Sequence, residues 1–77
     1  MLPADEDYGK AMLTIFQAKS LREGQSLKAS QVENEFLKRN FGRLADYRAA
    51  LKFCSEQGWL RLELDSVRLT KAGFAEI

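Results

Sequence analysis

The sequence predicts a small α+β domain in which three helices are followed by a β-hairpin and a short C-terminal helix. Three observations carry this prediction. Apolar residues recur at helical spacing in three separate runs before residue 58. At Gly58-Trp59-Leu60 the period changes to two, with Leu60, Leu62 and Leu64 facing one way and Arg61 and Glu63 the other. Beyond that alternation, Leu69-Thr70-Lys71-Ala72-Gly73 reads as a helix start with a capping threonine. A chain of 77 residues is one domain, spanning 1–77, with residues 1–6 expected to fray. A domain this small buries only about 60% of its unfolded surface, so every large apolar residue is needed for the core.

In the first helix, Tyr8, Ala11, Met12, Ile15 and Phe16 form one apolar face, and the acidic Asp5, Glu6 and Asp7 ahead of it suit the positive end of a helix dipole. Gly24 marks the loop that follows. Ser26-Leu27-Lys28 is a short strand between helices. Ser30 and Glu33 have capping-box spacing, which starts the second helix at Gln31 and runs it to about Arg39, with Val32, Phe36 and Leu37 buried. Asn40-Phe41-Gly42 breaks that helix, and Phe41 should plug inward. The third helix starts near Arg43. Leu44, Tyr47, Ala50, Leu51 and Cys54 make its core arc, Arg48, Lys52 and Ser55 lie beside that arc, and Gly58 supplies the left-handed residue that ends it. Phe53 falls off the arc, so it either covers a second small cluster or stays partly exposed, and it is expected to pack against helix or loop atoms rather than a ligand. In the hairpin, a tip at Asp65-Ser66 pairs Leu64 with Val67, Glu63 with Arg68 and Leu62 with Leu69. Neither tip residue is glycine, which argues for a loop wider than a strict type I′ turn. Thr70 caps the last helix, which runs through Glu76.

Composition excludes several functions. The chain has one cysteine and no histidine. That removes an internal disulfide, a Cys/His zinc site and His-based acid–base chemistry. Cys54 lies on the core arc and reads as a small hydrophobe. The carboxylates are scattered, so the chain is expected to be no enzyme and to hold no cofactor or metal. No apolar run approaches the roughly 20 residues that span a bilayer, and the acidic N-terminus lacks a secretory pattern, giving a cytoplasmic expectation without a membrane partner. The net charge of +1 conceals an uneven distribution: residues 10–57 carry nine Lys or Arg against five Asp or Glu. This basic excess is a modest electrostatic footprint over the three helices.

The order helix, strand, helix, helix, hairpin, short helix resembles the winged helix-turn-helix superfamily. The residues that carry the resemblance are Ala50-Leu51, Cys54, Gly58-Trp59-Leu60 and Leu69-Thr70-x-x-Gly73, and it extends from about Tyr8 to Phe74. It implies a small winged helix that binds double-stranded DNA, as in a small transcription regulator, with the helix at about 43–57 in the major groove. Carried over by position, Arg43 and Arg48 would read base edges, Lys52 would meet phosphate, and Asp46 on the same surface would accept a bond from cytosine. Ser30 and Gln31 at a helix start would hold a second phosphate, and Arg61 and Arg68 would serve from the wing. Lys28, Lys38 and Arg39 are weaker positional candidates. Winged helices also serve as protein-binding modules, and Trp59, Phe53 and the acidic N-terminus are the contact material for that alternative; a homodimer would form through helix one or the hairpin edge.

Overall fold

The computed structural model describes residues 5–77, and the first four residues of the expected N-terminal fray lie outside them. Four helices and a three-stranded antiparallel sheet follow the order α1 (Asp5–Ala18), β1 (Ser26–Lys28), α2 (Ala29–Lys38), α3 (Leu44–Glu56), β2 (Leu60–Leu62), β3 (Ser66–Leu69) and α4 (Lys71–Ala75). The domain is therefore small and α+β. Asp5, Glu6 and Asp7 belong to α1 itself rather than preceding it, and Glu6 pairs with Lys10 one turn on, at 3.4 Å.

The three long helices end in the same way. In each, a residue in the left-handed region (Ser20 at φ 57°, Asn40 at 57°, Gly58 at 75°) is followed by a large apolar residue. The N–H groups of Leu21, Phe41 and Trp59 return to the carbonyls of Phe16, Phe36 and Cys54 at 3.1, 3.3 and 2.8 Å. This is the Schellman arrangement, which satisfies carbonyls the helix leaves open and turns the next apolar side chain back onto the core. Phe41 accordingly meets Phe36 edge to face, with ring centroids 5.8 Å apart. Trp59 meets Phe53 likewise at 5.5 Å, so Phe53 packs within the domain as its off-arc position predicts.

The core joins α1, α2, α3 and one face of the sheet. Met12, Ile15, Phe16, Val32, Phe36, Ala50, Cys54 and Leu69 are wholly inaccessible, with Leu13, Leu60 and Val67 nearly so. Tyr47 packs edge to face on Phe36, and its hydroxyl donates to the carbonyl of Ala29 at 3.2 Å. Three expected core leucines are not fully buried. Leu37 and Leu44 are 38% and 40% exposed, and Leu51 is half-buried. At 100° per residue, Leu44 sits about 90° from the centre of the Tyr47, Ala50, Cys54 arc and turns outward, while Leu51, about 70° away, packs against the rim of the core.

The start of α2 differs from the Ser30–Glu33 capping box. The helix begins at Ala29 behind Lys28, which makes no side-chain cap, and the N–H of Ala29 donates instead to the carbonyl of Asp65 at 2.9 Å. Strand β1 hands directly to the helix, so Ser30 is already inside the first turn. The box spacing is used at α3, where the Arg43 N–H donates to Asp46 Oδ2 at 2.8 Å.

The hairpin register also differs, by two residues. Leu60 pairs with Leu69, Arg61 with Arg68 and Leu62 with Val67, which puts Leu64 and Asp65 at the tip. Because the shift is even, each side chain keeps its face. The cause is β1, which pairs with the other edge of β3 as Ser26 with Arg68, Leu27 with Val67 and Lys28 with Ser66. That pairing draws Ser66 into β3 and aims the Asp65 carbonyl at α2. Neither tip residue has the positive φ of a type I′ turn. Leu62 is left 47% exposed and Leu64 97% exposed.

The last helix is tied to the end of α3 through Thr70. Its hydroxyl accepts from the Gly73 N–H at 3.0 Å and donates to the Trp59 carbonyl at 2.8 Å, while its own N–H reaches the same carbonyl at 3.1 Å. Gly73 lies so close that a Cβ there would stand 2.1 Å from the Trp59 oxygen. The Leu-Thr-x-x-Gly segment and Gly58-Trp59 are thus two halves of one joint.

Candidate nucleic-acid interface

The basic residues singled out by sequence fall into three groups. The first is on α3. Arg43, Ala45, Arg48 and Lys52 are exposed, with Arg48 and Lys52 one turn apart on the face opposite α3's buried side. None of Arg43, Arg48 and Lys52 forms a salt bridge among the described residues. Leu44 joins this face, which the sequence reading missed by placing it in the core. Asp46 is half-buried and its carboxylate holds the N-terminus of α3, so it orients the helix. Gly42 makes room for it: a Cβ there would lie 2.7 Å from the Asp46 Cβ. The available signal was the three-residue spacing from Arg43 to Asp46, the same spacing as Ser30 to Glu33.

The second group gathers at the start of α2. Lys28, Ser30 and Gln31 are exposed, and Lys28 and Ser30 line an open depression of about 370 Å³ with Ala29, Leu64 and Asp65 of the hairpin tip. Ser30 and Gln31 lie in the first turn of α2, where backbone N–H groups have no carbonyl one turn back within the helix. Neither Arg48 nor Lys52 lines this depression.

The third group is the hairpin, where the two arginines differ. Arg61 is exposed and in no salt bridge among the described residues. Arg68 is engaged: Nε and Nη2 stand 3.2 and 3.1 Å from Glu63 Oε1, and Nη1 donates to the carbonyl of Gly24. The Arg68 hydrogen bond is the main reason the Glu63 carboxyl is held below its ordinary range. Arg39 is similarly occupied, its Nε 3.1 Å from Glu35, which Lys19 also approaches at 3.8 Å. Lys38 is exposed at the end of α2.

The remaining chemistry is sparse. Cys54 is wholly buried, its thiol donates to the carbonyl of Gly9 at 3.5 Å, and burial pushes its pKa up to about 12, the setting of an unreactive packing residue. Tyr47 is raised by burial and then by the charge of Glu33. Among the described residues no group of His, Cys, Asp or Glu side chains converges as a metal site, and no helix is long and apolar enough to cross a membrane. Trp59 is 9% exposed, which leaves little of it for a partner. Comparison of the chain with protein-family models, with curated proteins and with solved structures finds no match.

Proposed function

We propose that this chain is a winged-helix domain that binds double-stranded DNA, serving as a small transcription regulator in the cytoplasm. The observation that carries the reading is a set of exposed cations on and beside α3, with Arg48 and Lys52 one turn apart on its outer face and Arg43 at its N-cap, none of them with a salt-bridge partner among the described residues. The element order and the β1-β3-β2 sheet are compatible with that architecture. In this reading α3 enters the major groove, where an arginine fork from Arg43 or Arg48 pairs with guanine O6 and N7. Leu44 beside them offers a methyl contact to thymine. Lys52, with Lys28 and the N–H groups of Ser30 and Gln31, meets the phosphate backbone. Arg61 is the hairpin's contribution, and Arg68 holds the hairpin in shape.

Fluorescence anisotropy of a labelled random-sequence duplex, titrated at low salt and again at rising salt, tests this. Binding should weaken with salt at a log–log slope of about −3 to −4, as expected for roughly four phosphates neutralised. Arg43→Ala combined with Arg48→Ala should abolish binding while circular dichroism shows an unchanged fold. No binding of the native protein at low salt would overturn the DNA reading in favour of a protein-binding module, and retained binding by the double variant would overturn this recognition surface.

A further inference from the structure

The sheet order β1-β3-β2 leaves β2 on an edge. The Glu63 N–H donates to the Ser66 carbonyl at 2.9 Å, and the Thr70 N–H donates to the Trp59 carbonyl at 3.1 Å. Odd-numbered residues of this strand therefore turn their backbone groups toward β3, and Leu60, Leu62 and Leu64 turn theirs away. An outward row of backbone donors and acceptors beside exposed Leu62 and Leu64 is an edge open to another strand.

We propose that the strand which completes this edge is β2 of a second copy of the chain, antiparallel and related by a two-fold axis through Leu62. Only an even residue can meet an even residue across the new ladder, because those are the ones with outward backbone groups. Centring on Leu62 sets Leu62 against itself, Leu60 against Leu64, and Arg61 against Glu63 of the second copy. Moving the axis by one residue sets Arg61 against Arg61 or Glu63 against Glu63, so like charges reject the adjacent registers. The Arg61–Glu63 and Leu60–Leu64 contacts each occur twice and Leu62 meets itself once on the axis, as an isologous interface requires.

The side chains are ready for this pairing. Ser66 and Arg68 both bond Glu63 through Oε1, and Oε2 takes no hydrogen bond or salt bridge among the described residues. Arg61 has no salt bridge among the described residues, and it stands directly across from another arginine, Arg68, within its own sheet. Glu63 of the same chain, whose charge interacts with both arginines, offsets part of that repulsion, and the second copy's Glu63 adds a direct partner for Arg61. Five paired residues from each copy bury less than the roughly 1,200 Å² typical of stable complexes, so the dimer is weak and depends on concentration. This assembly requires no DNA and stands apart from the proposed DNA binding.

Sedimentation velocity of the protein without DNA, from about 10 μM to about 1 mM, tests it. The native chain should shift from monomer toward dimer across that range. Arg61→Glu puts carboxylates against Glu63, Glu63→Arg puts guanidinium groups against Arg61, and each should weaken association about tenfold or more. An equimolar mixture of the two variants restores both opposite-charge pairs and should recover native-like association. Circular dichroism checks the fold of each variant. Arg61→Glu breaks no salt bridge among the described residues, whereas Glu63→Arg also gives up the bonds from Ser66 and Arg68. Arg61→Glu is thus the cleaner single variant, and recovery in the mixture is what separates lost pairing from a disturbed hairpin. A native protein that stays monomeric, single variants that associate like the native chain, or a mixture that remains monomeric would each overturn the proposal.

Discussion

Replacing Gly73 by alanine sets two effects of opposite sign against each other. Gly73 lies inside α4, where helix propensity alone makes Gly→Ala stabilising by about 1 kcal/mol. The structure opposes this, because the new Cβ would stand 2.1 Å from the Trp59 carbonyl oxygen and 2.9 Å from its carbon. Those are backbone atoms at the end of α3 and cannot rotate aside. Relief requires α4 to lift, which breaks the Thr70 N–H and hydroxyl bonds to Trp59 and strains the cap that Thr70 gives Gly73. Three hydrogen bonds at about 1 kcal/mol each, less the propensity gain, leave a net loss of about 2 kcal/mol. For a domain this small that is a fall in Tm of roughly 8–16 °C. Thermal unfolding followed by far-ultraviolet circular dichroism, with Trp59 emission as a local probe, measures it. A variant as stable as the native chain, or more so, would refute the close approach of α4 to Trp59.

Two further perturbations separate buried from half-buried groups. Phe36→Ala should cost about 3–5 kcal/mol, whereas half-buried Leu51 should lose about half of a buried leucine's range, roughly 1–2 kcal/mol on truncation to alanine; denaturant unfolding that ranks them the other way would refute the core assignment. The raised pKa of Cys54 gives a pH dependence whose sign follows from burial. The folded thiol keeps its proton to about 12 while the unfolded one loses it near 9. This stabilising contribution is therefore complete below pH 9 and is lost as pH rises toward 12, and raised Tyr47 acts in the same direction. Stability should fall by about 1 kcal/mol between pH 8 and pH 10, and a native thiol labelled by Ellman's reagent at the unfolded rate at pH 8 would contradict the burial.

Features set by local backbone chemistry were legible in the sequence, and features set by a neighbouring element were not. Three helices follow from apolar spacing, and their exposed faces follow as the complement, so Arg48 and Lys52 were found on the outside of α3. Gly58 as a helix end was legible because glycine favours positive φ; Ser20, which does the same work for α1, carried no such signal. The capping box was misplaced because two segments share its spacing, and the choice between them depends on where a helix begins. At α2 that point is fixed by the Asp65 carbonyl, an atom of the hairpin.

The hairpin register shows why the site was only partly legible. A shift of two residues keeps every apolar side chain on its face, so alternation cannot detect it; the pairing of β3 with β1 decides it instead. Its consequences are functional. The shift carries Leu64 to the exposed tip and sets Arg61 against Arg68, while Arg68 still reaches Glu63, its partner in the expected register too, and also Gly24, which leaves Arg61 as the hairpin arginine in no salt bridge among the described residues. If Arg61 is drawn to Glu63 of a second copy, even that one is withdrawn from phosphate. DNA affinity would then rest on α3 and the start of α2, and the native chain should show a shallower salt slope per protomer at concentrations where it dimerises than as a dilute monomer.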